Sequence, residues 1–265
     1  MNPVDFYLSD PWLNPFRKII ESRIKKCRAK ESELSGDGEL KDFAIGHFYY
    51  GLHRDGDGWV FREYAPNAEK IFLTGVFSGW KEKSAYRMSR INRDGDWEIR
   101  LPSGALNHGD LYKLSVHWKG GRGERIPSYA TRLVQDDITK IFSAQVWCPE
   151  KEYKWKIRDF RPAPTAPVIY EAHVGMATPY EKVGSFREFT ENVLPVIIRS
   201  GYNTIQLMAI QEHPFYGSFG YHVSNFFAVS SRFGTPEDLK EFRNGRKRRK
   251  SLIHDNQMTR KTCYP

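Results

Sequence analysis

"VIYEAHVGMATPYEKVGSFREFTENVLPVIIRSGYNTIQLMAI", residues 168–210, decides the fold. Its first part is a short apolar run of strand length, "SFREFTENVLPVIIRSG" carries helical spacing up to a stop at Gly201, and "NTIQLMAI" is a second buried strand. Strand, helix, strand in that order is a βαβ unit, because a crossover helix returns the chain to pair its two strands in parallel. Sheets of this kind bind ligands beyond the carboxyl ends of their strands. The residues after 210 are therefore where a site is to be sought.

There the chain reads "YGSFGYHVSNFFAVSSRFG", residues 216–234, an aromatic and polar stretch with three glycines. Ordering such a segment costs conformational entropy that only a shaped site or packing recovers. "TPEDLKEF" follows as a helix start, with Thr235 as N-cap, Pro236 at the first helical position, and Glu237 and Asp238 where the helix end favours anions. A third buried strand is due next. Instead "RNGRKRRKSLIHDNQMTRKTCYP" has no apolar run longer than two residues and a charge block that repels itself. The expectation is an α/β region that stops after two strands, is loosely packed or attached, and ends in a disordered basic tail, residues 243–265.

Upstream, "RDFRPAPTAP", residues 158–167, is a proline-rich boundary. Before it, residues 47–157 show short alternating runs, "WVFREYAP", "KIFLTGVFSGW", "DWEIRLP" and "LYKLSVHW", parted by the turn signals "RDGDG" and "NRDGD". That pattern predicts an antiparallel β-sandwich. Residues 1–46 form a helical segment, in which 12–34 is an amphipathic helix with Phe16, Ile19, Ile20 and Ile24 on one face. The domains are thus 1–46, 47–157, 158–242 and 243–265.

The formal charge of +9 is concentrated, since residues 243–265 hold eight Lys or Arg against one acid and so supply +7 of it. A nucleic-acid footprint across the folded body is excluded, and any weak polyanion binding belongs to the tail. Cys27, Cys148 and Cys263 stand far apart, as in a reducing compartment, and the start lacks a leader or membrane-spanning run, so a cytoplasmic chain is expected.

Paired carboxylates are the chemistry of sugar-active enzymes. Glu171 and Glu212, near the strand ends, are the better placed for proton transfer, with bonding to a neighbouring backbone or histidine as the alternative. Glu188 and Glu191 read as water-facing helix residues, and Glu237 and Asp238 as capping. His173 and His222 are candidate pocket donors; the histidines make no metal-ligand cluster and no phosphate cradle exists, so neither metal nor cofactor is implied. Trp80 and Trp97 offer flat faces to a glucose unit, with core packing as the competing use.

"KIFLTGVFSGWKEKSAYRMSRINRDGDWEIRLP" resembles the β-sandwich carbohydrate-binding module that precedes the catalytic barrel of glycogen and starch branching enzymes. "DPWLNPF", "YEAHVG" and "GYNTIQLMAIQEHPFYGSFGYHVSNFFAVSSRFGTPEDLK" are similar to eukaryotic 1,4-α-glucan branching enzymes of the α-amylase superfamily, over about residues 10–242. The resemblance implies a multidomain fold: N-terminal helix, antiparallel β-sandwich module, then the incomplete start of a (β/α)8 barrel. It implies α-1,4 to α-1,6 glucan chain transfer in glycogen biosynthesis, an α-glucan partner and no cofactor. Tyr221 matches the tyrosine that holds the sugar beside the nucleophile; Phe219, His222, Asn225 and Phe227 shape that loop, and Arg232 and Phe233 support it. Trp80 and Trp97 match the module's tryptophans. The family's nucleophile, acid/base and stabilising aspartate lie on barrel strands beyond this sequence, so no catalytic residue is assigned and no independent activity is expected. The alternative is a non-catalytic glycan-binding or regulatory isoform.

Overall fold

The computed structural model describes residues 9–156, 165–208 and 210–244, and the backbone of 252–254. Residues 1–49 and 50–265 form two compact units. In the first, a 3-10 turn over Pro11–Phe16 leads into α1 (Arg17–Ser35), followed by the short helices α2 (Leu40–Phe43) and α3 (Gly46–Tyr49). Asp10 starts the turn by accepting from the backbone N–H of Trp12 at 2.9 Å. Ile20 and Ile24 are half-buried within this unit, whereas Phe16 and Ile19 are exposed.

The second unit opens with a sandwich. One sheet orders β1 (Gly51–Asp55), β2 (Gly58–Tyr64), β5 (Asp96–Leu101) and β4 (Ser89–Arg90), all antiparallel. The other runs β3 (Ala68–Gly75), β6 (Leu111–Trp118), β9 (Phe142–Gln145) and β8 (Leu133–Gln135), with β7 (Gly121–Arg125) also paired to β6. Period-2 alternation sends Trp97, Ile99 and Leu101 of β5, and Tyr112 and Leu114 of β6, into one core with Phe61, Ile71, Leu73 and Leu133. The glycine of "NRDGD", Gly95, sits at φ +111 and packs where a Cβ would collide with Pro66. Residues 120–125, "GGRGER", turn at Gly120 and run back along β6 as β7, Gly121 opposite Trp118.

The βαβ unit follows. β10 (Ile169–His173) and β11 (Thr204–Met208) pair in parallel, Ile169 with Thr204 through His173 with Met208. Between them, α4 (Phe186–Glu188), a π turn (Phe189–Val193) and α5 (Leu194–Arg199) make one crossover. Ser185 accepts from the Glu188 N–H at 3.2 Å while Glu188 accepts from the Ser185 N–H at 3.0 Å, a reciprocal cap. The π turn precedes Pro195, whose ring and missing N–H do not fit a regular α ladder. It spaces Phe189 and Leu194 so that both face a second core with Phe186, Ile197, Ile205, Phe233, Leu239 and Phe242. α6 (Pro236–Asn244) closes that core and is capped as expected: Thr235 Oγ1 accepts from the Asp238 N–H at 3.2 Å, and Asp238 accepts from the Thr235 N–H at 2.9 Å.

The tail corrects one expectation. A third strand, β14 (Leu252–His254), pairs in parallel with β11, Thr204 opposite Leu252. The free edge of β11 offers unpaired N–H and C=O groups, and three residues suffice to bond them where no long apolar run is needed. The basic block 245–250 lies outside the described residues.

The expectation of a loosely attached α/β half is not met either. Asn225 Nδ2 donates to the Pro127 carbonyl at 3.2 Å, Arg132 to the Gly234 carbonyl at 3.2 Å, Arg232 to Gln135 at 2.8 Å and Trp147 Nε1 to Glu237 at 2.9 Å. Phe227 stacks on Tyr129 with centroids 4.6 Å apart, and Ala228 belongs to the sandwich core.

Candidate functional site at the strand ends

The chain leaves β11 at the carboxyl end of the parallel pair and forms a small hairpin, β12 (Gln211–Glu212) with β13 (Asn225–Val229). The residues between carry the aromatic stretch. Tyr216–Ser218 is a 3-10 turn, Phe219 takes the left-handed conformation at φ +49, and Gly220 follows at φ +79. Phe215, Phe219 and Tyr221 stand 65%, 42% and 78% exposed, so three aromatic side chains of the loop between β12 and β13 face solvent. Two of them at least cannot be core; a ledge of this kind is where apolar sugar faces or a partner would rest. His222 is exposed beside Tyr221.

The loop is held from behind. Glu212 is fully buried and saturated: it accepts from Ser230 Oγ at 3.0 Å, from the His213 N–H at 3.1 Å, from the Ser231 N–H and hydroxyl at 2.8 and 2.9 Å, and from Arg232 at 3.3 Å. Those donors leave no free lone pair for proton transfer, so Glu212 is the backbone anchor that its alternative reading describes. Glu171 is exposed, with Gln206 reaching its carboxylate at 3.5 Å. Arg232 also donates to the carbonyls of His213 and Pro214, fixing the start of the loop. Asn225 accepts from the Phe227 and Ala228 N–H groups at 2.8 and 2.9 Å, fixing its end.

His173, the last residue of β10, is 9% exposed and sits edge-on to Tyr216, Phe219 and Phe233, with centroids 6.0, 5.9 and 5.6 Å away. Burial, with the nearby His213, holds its imidazole below the usual histidine value and therefore neutral at pH 7. Burial also pushes the Tyr216 phenol up. Gly175 lets Phe233 and Tyr216 approach, for a Cβ there would lie 2.7 Å from the first and 2.8 Å from the second. Of the expected loop residues, Phe219, Tyr221 and His222 are thus at the surface, while Asn225, Phe227, Arg232 and Phe233 are its supports. Phe215 and Tyr216 join the site without having been singled out; their signal is the small-residue break Gly217–Ser218 between aromatics.

The two tryptophans separate. Trp97 is 4% exposed in the sandwich core, its Nε1 donating to the Ala65 carbonyl at 3.0 Å, so it offers no face to a sugar and the expectation of glycan contact is corrected. Trp80 follows Gly79 in a turn of two consecutive left-handed residues, φ +65 and +59, and is 43% exposed. Lys113 Nζ lies 5.8 Å from its ring. On the same outward face of β6, Ser115 Oγ and His117 reach Glu82 at 2.7 and 2.8 Å. Among the described residues no group of His, Cys, Asp and Glu has the arrangement to hold a metal ion, and no helix is long and apolar enough to cross a membrane.

A sandwich leading into parallel βαβ strands, with an aromatic loop at their carboxyl ends, defines the fold class: a β-sandwich module followed by elements that resemble the start of a (β/α)8 barrel. Residues 49–136 match the profile of carbohydrate-binding module 48 (Isoamylase N-terminal domain). The chain is homologous to 1,4-alpha-glucan-branching enzymes, being 41% identical to that of Yarrowia lipolytica over 242 residues and 43% identical to that of Aspergillus oryzae over 241. Each alignment covers 88% of this chain and 35% of the relative, so the chain spans about a third of the length of the curated relatives it matches. Among solved structures, pullulanase type I from Bacillus subtilis, complexed with maltose, superposes with a TM-score of 0.62 at 19% identity, covering 85% of this chain and 33% of that one; this likeness concerns the fold.

Proposed function

We propose that the chain holds linear α-1,4-glucan on the loop 213–222, as the donor-binding portion of a glycogen or starch branching enzyme working in the cytosol. The observation that carries this reading is the ledge of Phe215, Phe219 and Tyr221 at the carboxyl ends of β10 and β11. The branching enzymes to which the chain is similar supply the substrate class. Stacking on such rings suits the apolar face of a pyranose, and His222 supplies a polar group beside it. Chain transfer needs a nucleophile and an acid/base facing one bond. Glu212 is consumed by its donors, so the described residues are read as binding glucan without transferring it.

The test combines two measurements. Glycogen in a native gel should retard the chain, and Tyr221→Ala should weaken retardation roughly threefold to tenfold, the worth of one stacking contact. Incubation with amylose should yield no α-1,6 linkages. Absence of retardation would sink the binding reading, and new linkages would sink the non-catalytic one.

Trp80 favours a second reading, in which the sandwich binds glycan by itself through Trp80 and Lys113. Trp80→Ala should then abolish retardation that Tyr221→Ala spares. The basic block, outside the described residues, is assigned a weak polyanion affinity that falls steeply with salt and disappears with deletion of 243–265.

A further inference from the structure

Two buried imidazoles at the strand ends have a nitrogen that no protein group satisfies. Nε2 of His173 and Nε2 of His213 are each buried without a hydrogen-bond partner, in residues 9% and 0% exposed. Their other nitrogens fix the tautomers. His173 Nδ1 accepts the Met176 N–H at 3.2 Å, which puts the proton on Nε2. His213 Nδ1 lies 2.9 Å from the Gln211 carbonyl, which only a protonated Nδ1 satisfies; in the neutral ring that tautomer carries a lone pair on Nε2. One ring therefore presents a donor and the other an acceptor, and both pack on Phe233, with centroids 5.6 and 6.2 Å away. Leaving a buried donor or acceptor unpaired is unfavourable, so both nitrogens call for a partner.

Resting on the glucan reading above, we propose that His173 and His213 form the inner, hydroxyl-binding end of the glucan site, below the aromatic ledge. The opposite polarities suit a hydroxyl: an anion needs two donors and a metal ion needs two lone pairs, whereas a hydroxyl, of water or of a sugar that displaces it, both accepts and donates. Phe219 is the cover: it lies edge-on to His173, is 42% exposed, and holds a left-handed conformation that is costly for a residue other than glycine. Turning it outward admits the sugar edge while its ring stays beside the pyranose.

Long-range proton–nitrogen spectra of the imidazoles in the 265-residue chain test this directly during titration with maltoheptaose. The expected result is a protonated Nε2 on His173 and an unprotonated Nε2 on His213, both shifting saturably with the midpoint of the Tyr221 ring signals. His173→Phe, which keeps an aromatic ring and removes both the Nε2 donor and the Nδ1 acceptor of Met176, should weaken binding about fivefold. Saturable shifts at Tyr221 with both imidazoles unmoved would overturn the inference and leave the ledge reading standing. Silence at both places would overturn the two together, and Nε2 protonated on both rings would overturn the polarity argument.

Discussion

Glu63 occupies a core-facing position of β2, in phase with Trp59 and Phe61, and is 4% exposed. Burial raises its carboxyl above the ordinary value, and the hydrogen bonds it accepts from Ser128 and Tyr64 only partly offset this. The folded state thus binds a proton more tightly than the unfolded chain. The associated stability is present below the ordinary glutamate range and is lost as pH rises through the raised value. Glu63→Gln keeps an acceptor for the Ser128 N–H and cannot ionise. Its urea midpoint relative to the wild type should be higher at pH 7 than at pH 4.5, and a pH-independent difference would refute the assignment. The same alternation argues against the glycan contact expected of Trp97, because "DWEIRL" puts Trp97, Ile99 and Leu101 on one face, all buried. Trp80, beyond the end of its strand, has no such phase, and only the left-handed turn shows that it faces out. The imidazole pair was not legible, since its polarity depends on hydrogen bonds to Met176 and Gln211 that only the folded backbone brings into reach.

At the scale of elements, the crossover between β10 and β11 was readable in type and in its stop at Gly201, whereas Glu188, expected simply to face water, caps its start with Ser185. Its interior was not. Leu194 follows Phe189 by five residues, out of step with a 3.6-residue repeat, and the π turn restores a common face. Leu194 is consequently 2% exposed while Val196, two residues on, is 49% exposed. Leu194→Ala should cost about 2–5 kcal/mol and Val196→Ala within about 0.5 kcal/mol, by urea titration followed in the far ultraviolet. Equal costs would show that the helix faces its core differently. β14 was missed for a related reason: strand assignment from sequence weighs apolar runs, and a backbone ladder on an open edge needs none.

For the molecule as a whole, the question is whether sandwich and barrel strands behave as one body. A composition shift at the proline-rich segment suggests two, yet the side chains that shape the aromatic loop are also those that reach the sandwich. Asn225 spends its amide oxygen on the loop and its nitrogen on the Pro127 and Ser128 carbonyls, at 3.2 and 3.3 Å. Arg232 divides its guanidinium between Glu212 and Gln135. Glu63 in turn holds the Ser128 N–H at 2.9 Å, so the bridging segment 127–129 is gripped from both sides. Elements bonded this way unfold together, because releasing either leaves buried polar groups of the other unpaired. We expect one cooperative transition with coincident tryptophan fluorescence and circular dichroism, and similar protease resistance in the sandwich and in residues 165–244. Asn225→Ala removes the shared amide and should cost about 1–3 kcal/mol while splitting the transition, the barrel strands melting first. Two separated transitions in the wild-type chain would mean that these contacts form without coupling the parts, and the loop would then be free to reorganise independently of the module that precedes it.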